Sequence, residues 1–308
     1  MAPEPSFDIL VAGEVNPDLI LTGEVTPAFD QTEQLVDSAS LTIGSSSAIF
    51  ACGAARLGLK VAFLGVCGAD IFGRFMLDEM QKRGVDVSNV IVRADGQTGL
   101  SVILNRGADR AILTHSGLIA ALHASAIPHT LLRKARHLHV ASYFLQTNLQ
   151  PDLPGLFRRA HSLGLTTSLD PNYDPFGKWI GFDELLVTAD VFLPNKMEAL
   201  SITHSENVES AARQLADKCK LVVIKLGAEG ATLQAKDQSI HIPSVPVNIV
   251  DTVGAGDTFD AGFLYGYLNG WDLEKSLQLA VACGALSTQA SGGTTGQPTL
   301  EEALAFLK

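Results

Sequence analysis

Short apolar runs recur along the chain between longer segments of helical periodicity. They are FDILVAGEV (7–15), KVAFLGVCG (60–68), HLHVASYFL (137–145), LTTSLDPN (165–172), VFLPN (191–195) and LVVIKLG (221–227). Each is about the length of a strand. Near-continuous apolarity means burial on both faces, the setting of a parallel strand between helical layers. Helices are expected over 47–58, 73–83, 151–163, 197–201, 207–218, 256–268, 273–290 and 299–307. This alternation predicts an α/β fold, a three-layer α/β/α arrangement with a mostly parallel central sheet. Ligands of such sheets bind beyond the C-terminal strand ends.

Two stretches break the rhythm. Residues 16–43 alternate apolar and polar groups, and 97–115 read as a hairpin turning around Gly107-Ala108-Asp109. Half-buried strands beside a parallel core suggest a small β-sheet lid over a site. A dimerisation flap is the other reading, and one sheet can serve both ends. No repeat or linker divides the chain, so residues 1–308 are read as a single domain.

Charge excludes some partners. The formal net charge is −11, so nothing attracts the molecule as a whole to nucleic acid or an anionic membrane. No segment reaches the roughly 18 apolar residues of a membrane span. The N-terminus lacks a basic region followed by a long apolar stretch. The four cysteines, Cys52, Cys67, Cys219 and Cys283, lie in apolar surroundings without a C-x-x-C pair. They read as buried reduced thiols, and the protein is expected to be cytoplasmic.

The chemistry concentrates in DTVGAGDTFDAGF (251–263). Phe259, Phe263, Tyr267 and Leu268 can share one helical face, and Asn269-Gly270 is a C-terminal stop. Gly262 and Gly266 would let another element approach closely. Gly254-Ala255-Gly256 is then a helix entrance, whose unpaired N–H groups and dipole favour an anion. Asp257 at that entrance has two readings. It is a capping acid worth about 1 kcal/mol, or a general base beside an anion hole, as phosphoryl transfer requires.

The same stretch closely resembles the C-terminal signature of the ribokinase-like, or phosphofructokinase-B, family of sugar and nucleoside kinases. Five further segments resemble that family in order: GEVNPDLIL (13–21), GVCGADIFGRFMLDEMQKRGVDVSNV (65–90), SLDPN (168–172), PNKMEA (194–199) and KLGAEGA (225–231). The resemblance implies an ATP-dependent carbohydrate kinase using Mg2+, acting on a primary hydroxyl of a sugar or sugar-like substrate. It implies Asp257 as the catalytic base and the amides of Gly254, Ala255 and Gly256 as the anion hole. Asn16, Asp18, Gly44 and Ser45 would meet the sugar, although Asn16-Pro17-Asp18 also suits an ordinary turn. Asn195 and Glu198 would organise magnesium and phosphates through water. Without the resemblance, Glu198 reads as a solvated acid of a first helical turn. Lys225, Gly227 and Gly230 would lie along the phosphates and ribose of ATP, the Lys225 cation reaching a phosphate. Cys283 and Gly284, within 282–284, and residues 292–296 would surround the adenine. Asp251, with carbonyls near Val253 and in the 288–296 loop, resembles a monovalent-cation site suited to K+.

The chain departs from the family pattern in GSSSAIFACG (44–53). Ser45 stands for a second glycine, and Ile49 for an asparagine that reads substrate hydroxyls. The pocket is therefore expected to gain an apolar wall. Ile49 and Phe50 could suit an apolar base, so an adenosine-like nucleoside kinase is the alternative substrate class. A sugar-binding sensor without turnover is a third reading, opposed by the retention of Asp257. A dinucleotide fold is not supported, because Gly254 and Gly256 lack the third glycine of G-x-G-x-x-G. No P-loop occurs. His137 and His139 fit a strand better than a metal site. His115 in the lid could touch substrate or lie at the surface.

Overall fold

A computed structural model of the protein describes residues 5–106 and 109–307. The expected central sheet is present and has eight strands. From one edge their order is Ser239–Ile242, Ala231–Gln234, Leu221–Lys225, Val191–Phe192, Thr166–Leu169, Ala135–Val140, Phe7–Ala12 and Val61–Leu64. The six strands from Leu221–Lys225 onward are parallel. The first two extend the sheet as an antiparallel hairpin that the apolar runs do not reveal. Its strands are only half buried, ATLQ and SIHI alternating as edge strands do.

Burial on both faces explains the near-continuous apolar runs. Ile9 and Val11 pack into one core with the helices Ser46–Arg56, Ala255–Leu268 and Leu273–Ser287. Leu10, between them, packs into the other core with Leu153–Ser162 and Val208–Ala216. Several runs extend beyond their strands. The run 60–68 breaks at Gly65, where a Cβ would sit 2.5 Å from the Gly13 carbonyl. Beyond it, Val66–Gly68 pairs with Ile91–Arg93 in a separate two-stranded sheet. The run 137–145 leaves its strand after Val140, and Ser142 takes a φ of 52°. The helices fall where periodicity places them, with two short ones added at His129–Leu132 and Phe182–Val187.

The two irregular stretches form one sheet, ordered Ser38–Ile43, Pro17–Thr22, Leu100–Arg106 and Asp109–His115. Its register aligns Thr42, Asp18, Ser101 and Thr114 across neighbouring strands. Ile20 and Ile103 are buried, while Ile112 and Leu113 on the last strand are 53% and 60% exposed. Gly107 and Ala108 of the expected turn lie outside the described residues. No helix among those described is long and apolar enough to cross a membrane. All four cysteines are free and buried.

Candidate active site

The C-terminal ends of the parallel strands carry Glu14, Asp170, Asn195 and Lys225. Glu14 follows the strand Phe7–Ala12 and is 2% exposed. Its Oε1 accepts from the Ser47 amide at 3.2 Å and the Ser142 hydroxyl at 2.9 Å, and its Oε2 from the Ser47 hydroxyl at 2.6 Å. A buried carboxylate demands such partners. Glu14 thereby ties the first strand to the entrance of helix Ser46–Arg56. That entrance is capped by Ser45, whose hydroxyl accepts from the Ala48 amide and donates to the Glu14 carbonyl. Ser45 holds φ at 65°, in the region that favours glycine, so the departure from a second glycine leaves the backbone shape unchanged.

Asp18 stands on the other side of this turn. A Cβ on Gly44 would lie 2.1 Å from Asp18 Oδ1, so glycine is what admits the carboxyl there. The Asn16 amide donates at long range, 3.4 Å to the Ser101 hydroxyl and 3.5 Å to Asp18 Oδ1. Burial raises Asp18 to about 7; Arg110 opposes the rise and Glu14 adds to it.

The helix Ala255–Leu268 begins after Gly254, which sits at φ 73°. A Cβ there would meet Gly293 at 2.7 Å and Ile49 at 2.9 Å. The Ala255 amide bonds to the Thr252 carbonyl at 3.3 Å, whereas the amides of Gly254 and Gly256 have no partner among the described residues. The expected three-amide hole is thus narrower by one, because the turn itself uses Ala255. Gly262 and Gly266 admit the helix Leu273–Ser287, as a Cβ on either would lie within 3.0 Å of Ala280 or Ser276. Asp257 occupies the first turn and is 7% exposed. Burial pushes its carboxyl well above the ordinary range; Asp170 and Glu14 add to this, while Lys225 and a hydrogen bond with Ser46 oppose it.

Beneath Asp257 lies a cluster of buried charges. Lys225 Nζ donates to Asp170 Oδ2 at 2.8 Å and to Asp260 Oδ2 at 3.0 Å. Lys225 was expected to spend its cation on a phosphate; two carboxyl groups already hold it, because a buried cation needs compensating partners. Glu198 is also buried, not solvated. Its two carboxylate oxygens accept from the Asn195 backbone amide at 2.8 Å and side-chain amide at 2.6 Å. Burial and the charge of Asp170 raise it to about 7, against Lys225. Each oxygen accepts one bond from Asn195 and keeps a lone pair that a water of a magnesium shell could use. Among the described residues no cluster of three or more His, Cys, Asp and Glu could hold a metal directly.

A cavity of about 250 Å³ opens on the far side of the helix entrance. Lys225, Gly227, Gly230, Ala255, Gly256 and Gly284 line it, with Val247, Ile249, Phe259 and Val281. Cys283 does not line it. It is fully buried, and its Sγ would lie 3.0 Å from a Cβ on Gly262, in the seam between two helices. Nor do residues 292–296, whose Gly293 packs on Ile49. Ile49 is 3% exposed and wedged between Gly254 and Gly293, so it props the helix entrance more than it walls a pocket. Phe50 is stacked on His139 in the core, 3.8 Å between centroids, and offers nothing to a base. Asp251 accepts from the Val253 and Gly292 amides at 3.0 and 2.9 Å, pinning the 288–292 loop to the motif.

Sequence reasoning missed Glu14, Ser46, Asp170, Asn172 and Asp260 as site residues. Asn172 at φ 54° accepts from the Ser142 amide and donates to the Ser46 hydroxyl at 2.9 Å. The available signals were an acid directly after a buried strand, in LVAGE and SLD, and a second acid three residues after Asp257 on an otherwise apolar helix.

Comparisons place this geometry. The model of the pfkB family carbohydrate kinases matches residues 6–300. An ATP-dependent ribose-1-phosphate kinase of Halopiger xanaduensis is 32% identical over 304 residues, 97% of each chain. A 2-dehydro-3-deoxygluconokinase of Bacillus subtilis is 31% identical over 287 residues, 88% of each. An E. coli protein provisionally called ribokinase II, solved with ATP and Mg2+, superposes with a TM-score of 0.87. It is 24% identical, with 98% of this chain and 99% of that one covered; that likeness establishes the fold.

Proposed function

The chain belongs to the pfkB family of carbohydrate kinases, and from that premise we propose that it moves the terminal phosphoryl group of ATP onto a primary hydroxyl at Asp257. It is an ATP-dependent sugar kinase. The observation that carries the residue assignment is the position of Asp257. It stands in the first turn of the helix whose Ala255 and Gly256 line the cavity, although it is not itself on the cavity wall, and it feels the charge of Glu14 and a hydrogen bond with Ser46.

ATP takes the cavity, its phosphates approaching the free amides of Gly254 and Gly256. Magnesium, bound with ATP, offsets charge on the phosphates, and Asn195 with Glu198 orients its water shell. Asp18 and Asn16 hold the sugar hydroxyls. Asp257 accepts the proton of the attacking hydroxyl, a step for which its raised proton affinity suits it. Exclusion of water by the lid sheet keeps hydrolysis from competing. Potassium at Asp251, pairing of two copies through the half-exposed lid sheet and a cytoplasmic location complete the reading.

The relatives are named for a sugar phosphate and a sugar acid. The test is therefore ADP release by purified protein against ribose, fructose, ribose-1-phosphate, keto-deoxy sugar acids and adenosine. Substrate-dependent ADP release with one sugar class is expected. Release with adenosine alone, or with none of the panel, overturns the reading.

A further inference from the structure

We propose that Lys225, clamped between Asp170 and Asp260, is a positioning residue that holds the charge balance around Asp257 and so sets the pH at which the base becomes available. The inference rests on Asp257 being the base. Lys225 ends the strand Leu221–Lys225, Asp170 follows Thr166–Leu169, and Asp260 lies one turn beyond Asp257 on the same helix. The three meet at 2.8 to 3.2 Å. The Lys225 side chain is 12% exposed, and those of Asp170 and Asp260 are 3% and 1% exposed. From a Cβ on Gly256 the Lys225 ammonium would be 3.6 Å away, so the cation lies directly under the helix entrance.

The groups facing Asp257 are otherwise acidic or neutral. Glu14 faces it from the turn after the first strand, Asp170 from the fourth parallel strand in the chain, and Ser46 from the neighbouring helix. Asp260 faces it from its own helix. Glu198, from helix Lys196–Thr203, adds to the same field through Asp170 and Lys225. Asp18 adds to it through Glu14. Lys225 is the largest influence opposing this set at Asp257.

The protons inside the cluster are divided unequally. Burial opposes ionisation of Asp170, yet the Lys225 charge and hydrogen bonds from Asp260, Lys225 and Asn172 hold its carboxyl below the usual range. Burial instead drives Asp260 well above that range, against the pull of Lys225. Asp260 thus holds a proton more tightly than Asp170, and the two carboxyls are linked by a hydrogen bond. Lys225 stays charged throughout; no bond forms or breaks on it. During turnover the only proton that moves is the one passing from the substrate hydroxyl to the Asp257 carboxylate.

The sign follows. The base works when ionised, so activity climbs along an acid limb as pH rises. Removing the cation leaves Asp257 among acids and moves that limb to higher pH. The experiment is the pH profile of kcat at saturating sugar and ATP, which leaves out the effect of Asp18 on sugar KM, in parent, Lys225→Met, Lys225→Arg, Asp170→Asn and Asp257→Asn. Lys225→Met should move the acid limb up by about one pH unit, a loss of about tenfold at a pH on the limb that recovers above it. Lys225→Arg should keep the parental limb. Asp170→Asn retains the cation and removes a carboxylate, so its limb should move down; it carries the test if Lys225→Met does not fold. An unmoved limb in Lys225→Met or Asp170→Asn, with activity lowered evenly at every pH, overturns the inference while leaving Asp257 as the base. Undiminished turnover in Asp257→Asn overturns the base assignment itself.

Discussion

The two flanks of Asp257 are built from different materials. On the proposed nucleotide side, glycines at 227, 230, 256 and 284 and the apolar Val247, Ile249, Phe259 and Val281 line an open cavity. On the proposed sugar side, the buried Glu14, Asn16 and Asp18 come from one turn and the half-buried Asn172 from a second part of the chain. Backbone amides around a phosphate are indifferent to side-chain identity, which suits a cosubstrate that is always the same. Hydroxyl recognition requires side chains of particular reach, and these can be exchanged one at a time.

The contrast can be broken at its glycines. Gly44→Ala places a methyl group 2.1 Å from Asp18 Oδ1 and displaces the carboxyl. Losing a charged hydrogen bond of about 2–3 kcal/mol should lower kcat/KM for the sugar by about a hundredfold, with KM for ATP unmoved. Gly230→Ala is the mirror case. Gly230 sits at φ 92°, and its Cβ would lie 2.0 Å from the Ile242 carbonyl, so KM for ATP should rise by about tenfold while KM for the sugar stays put. If both substitutions change both Michaelis constants alike, the two flanks are not independent.

Acidity sharpens the contrast. Asp18, raised to about 7 by burial, binds its proton more tightly when folded than when unfolded. Its burial therefore costs stability as pH climbs from about 4 to about 7, and the cost is fully present above that window. Asp18→Asn should raise Tm at pH 8 and leave it unchanged at pH 4. In the parent, KM for the sugar should rise as pH falls through 7, since a protonated Asp18 no longer accepts two hydrogen bonds. The nucleotide cavity has no such group on its wall beyond the already paired Lys225, so ATP affinity measured without magnesium, which leaves Glu198 out, should stay flat. Smallest of all, Cys283→Ala should leave KM for ATP within about twofold, because the thiol fills a seam between helices.

The same contrast explains what could be read without coordinates. The parallel sheet was legible because burial on both faces writes continuous apolar runs. The helix entrance was legible because Gly254, Ala255, Gly256 and Asp257 are adjacent in the chain. The charge cluster was not. Asp170, Lys225 and Asp260 are 55 and 35 residues apart along the chain, and their pairing depends on strand order. Read singly, Lys225 looked like a phosphate ligand, since KLGAEGA resembles the family's nucleotide-binding turn. Cys283 and residues 292–296 were misplaced for a related reason. A helix and a loop that run past a cavity turn only some of their residues toward it, and periodicity alone does not say which. Phe50 was offered to a substrate although its place in helix Ser46–Arg56 faces His139 and the sheet.

The central claim is that one buried carboxylate serves both flanks without binding either ligand by itself. It is tested by measuring ATP affinity and single-turnover phosphoryl transfer in Asp257→Asn, with saturating ATP and the sugar found by the screen. The account predicts a native melting curve, ATP affinity within about threefold of the parent, and transfer slowed by at least about 10²-fold. Transfer at the parental rate would contradict it.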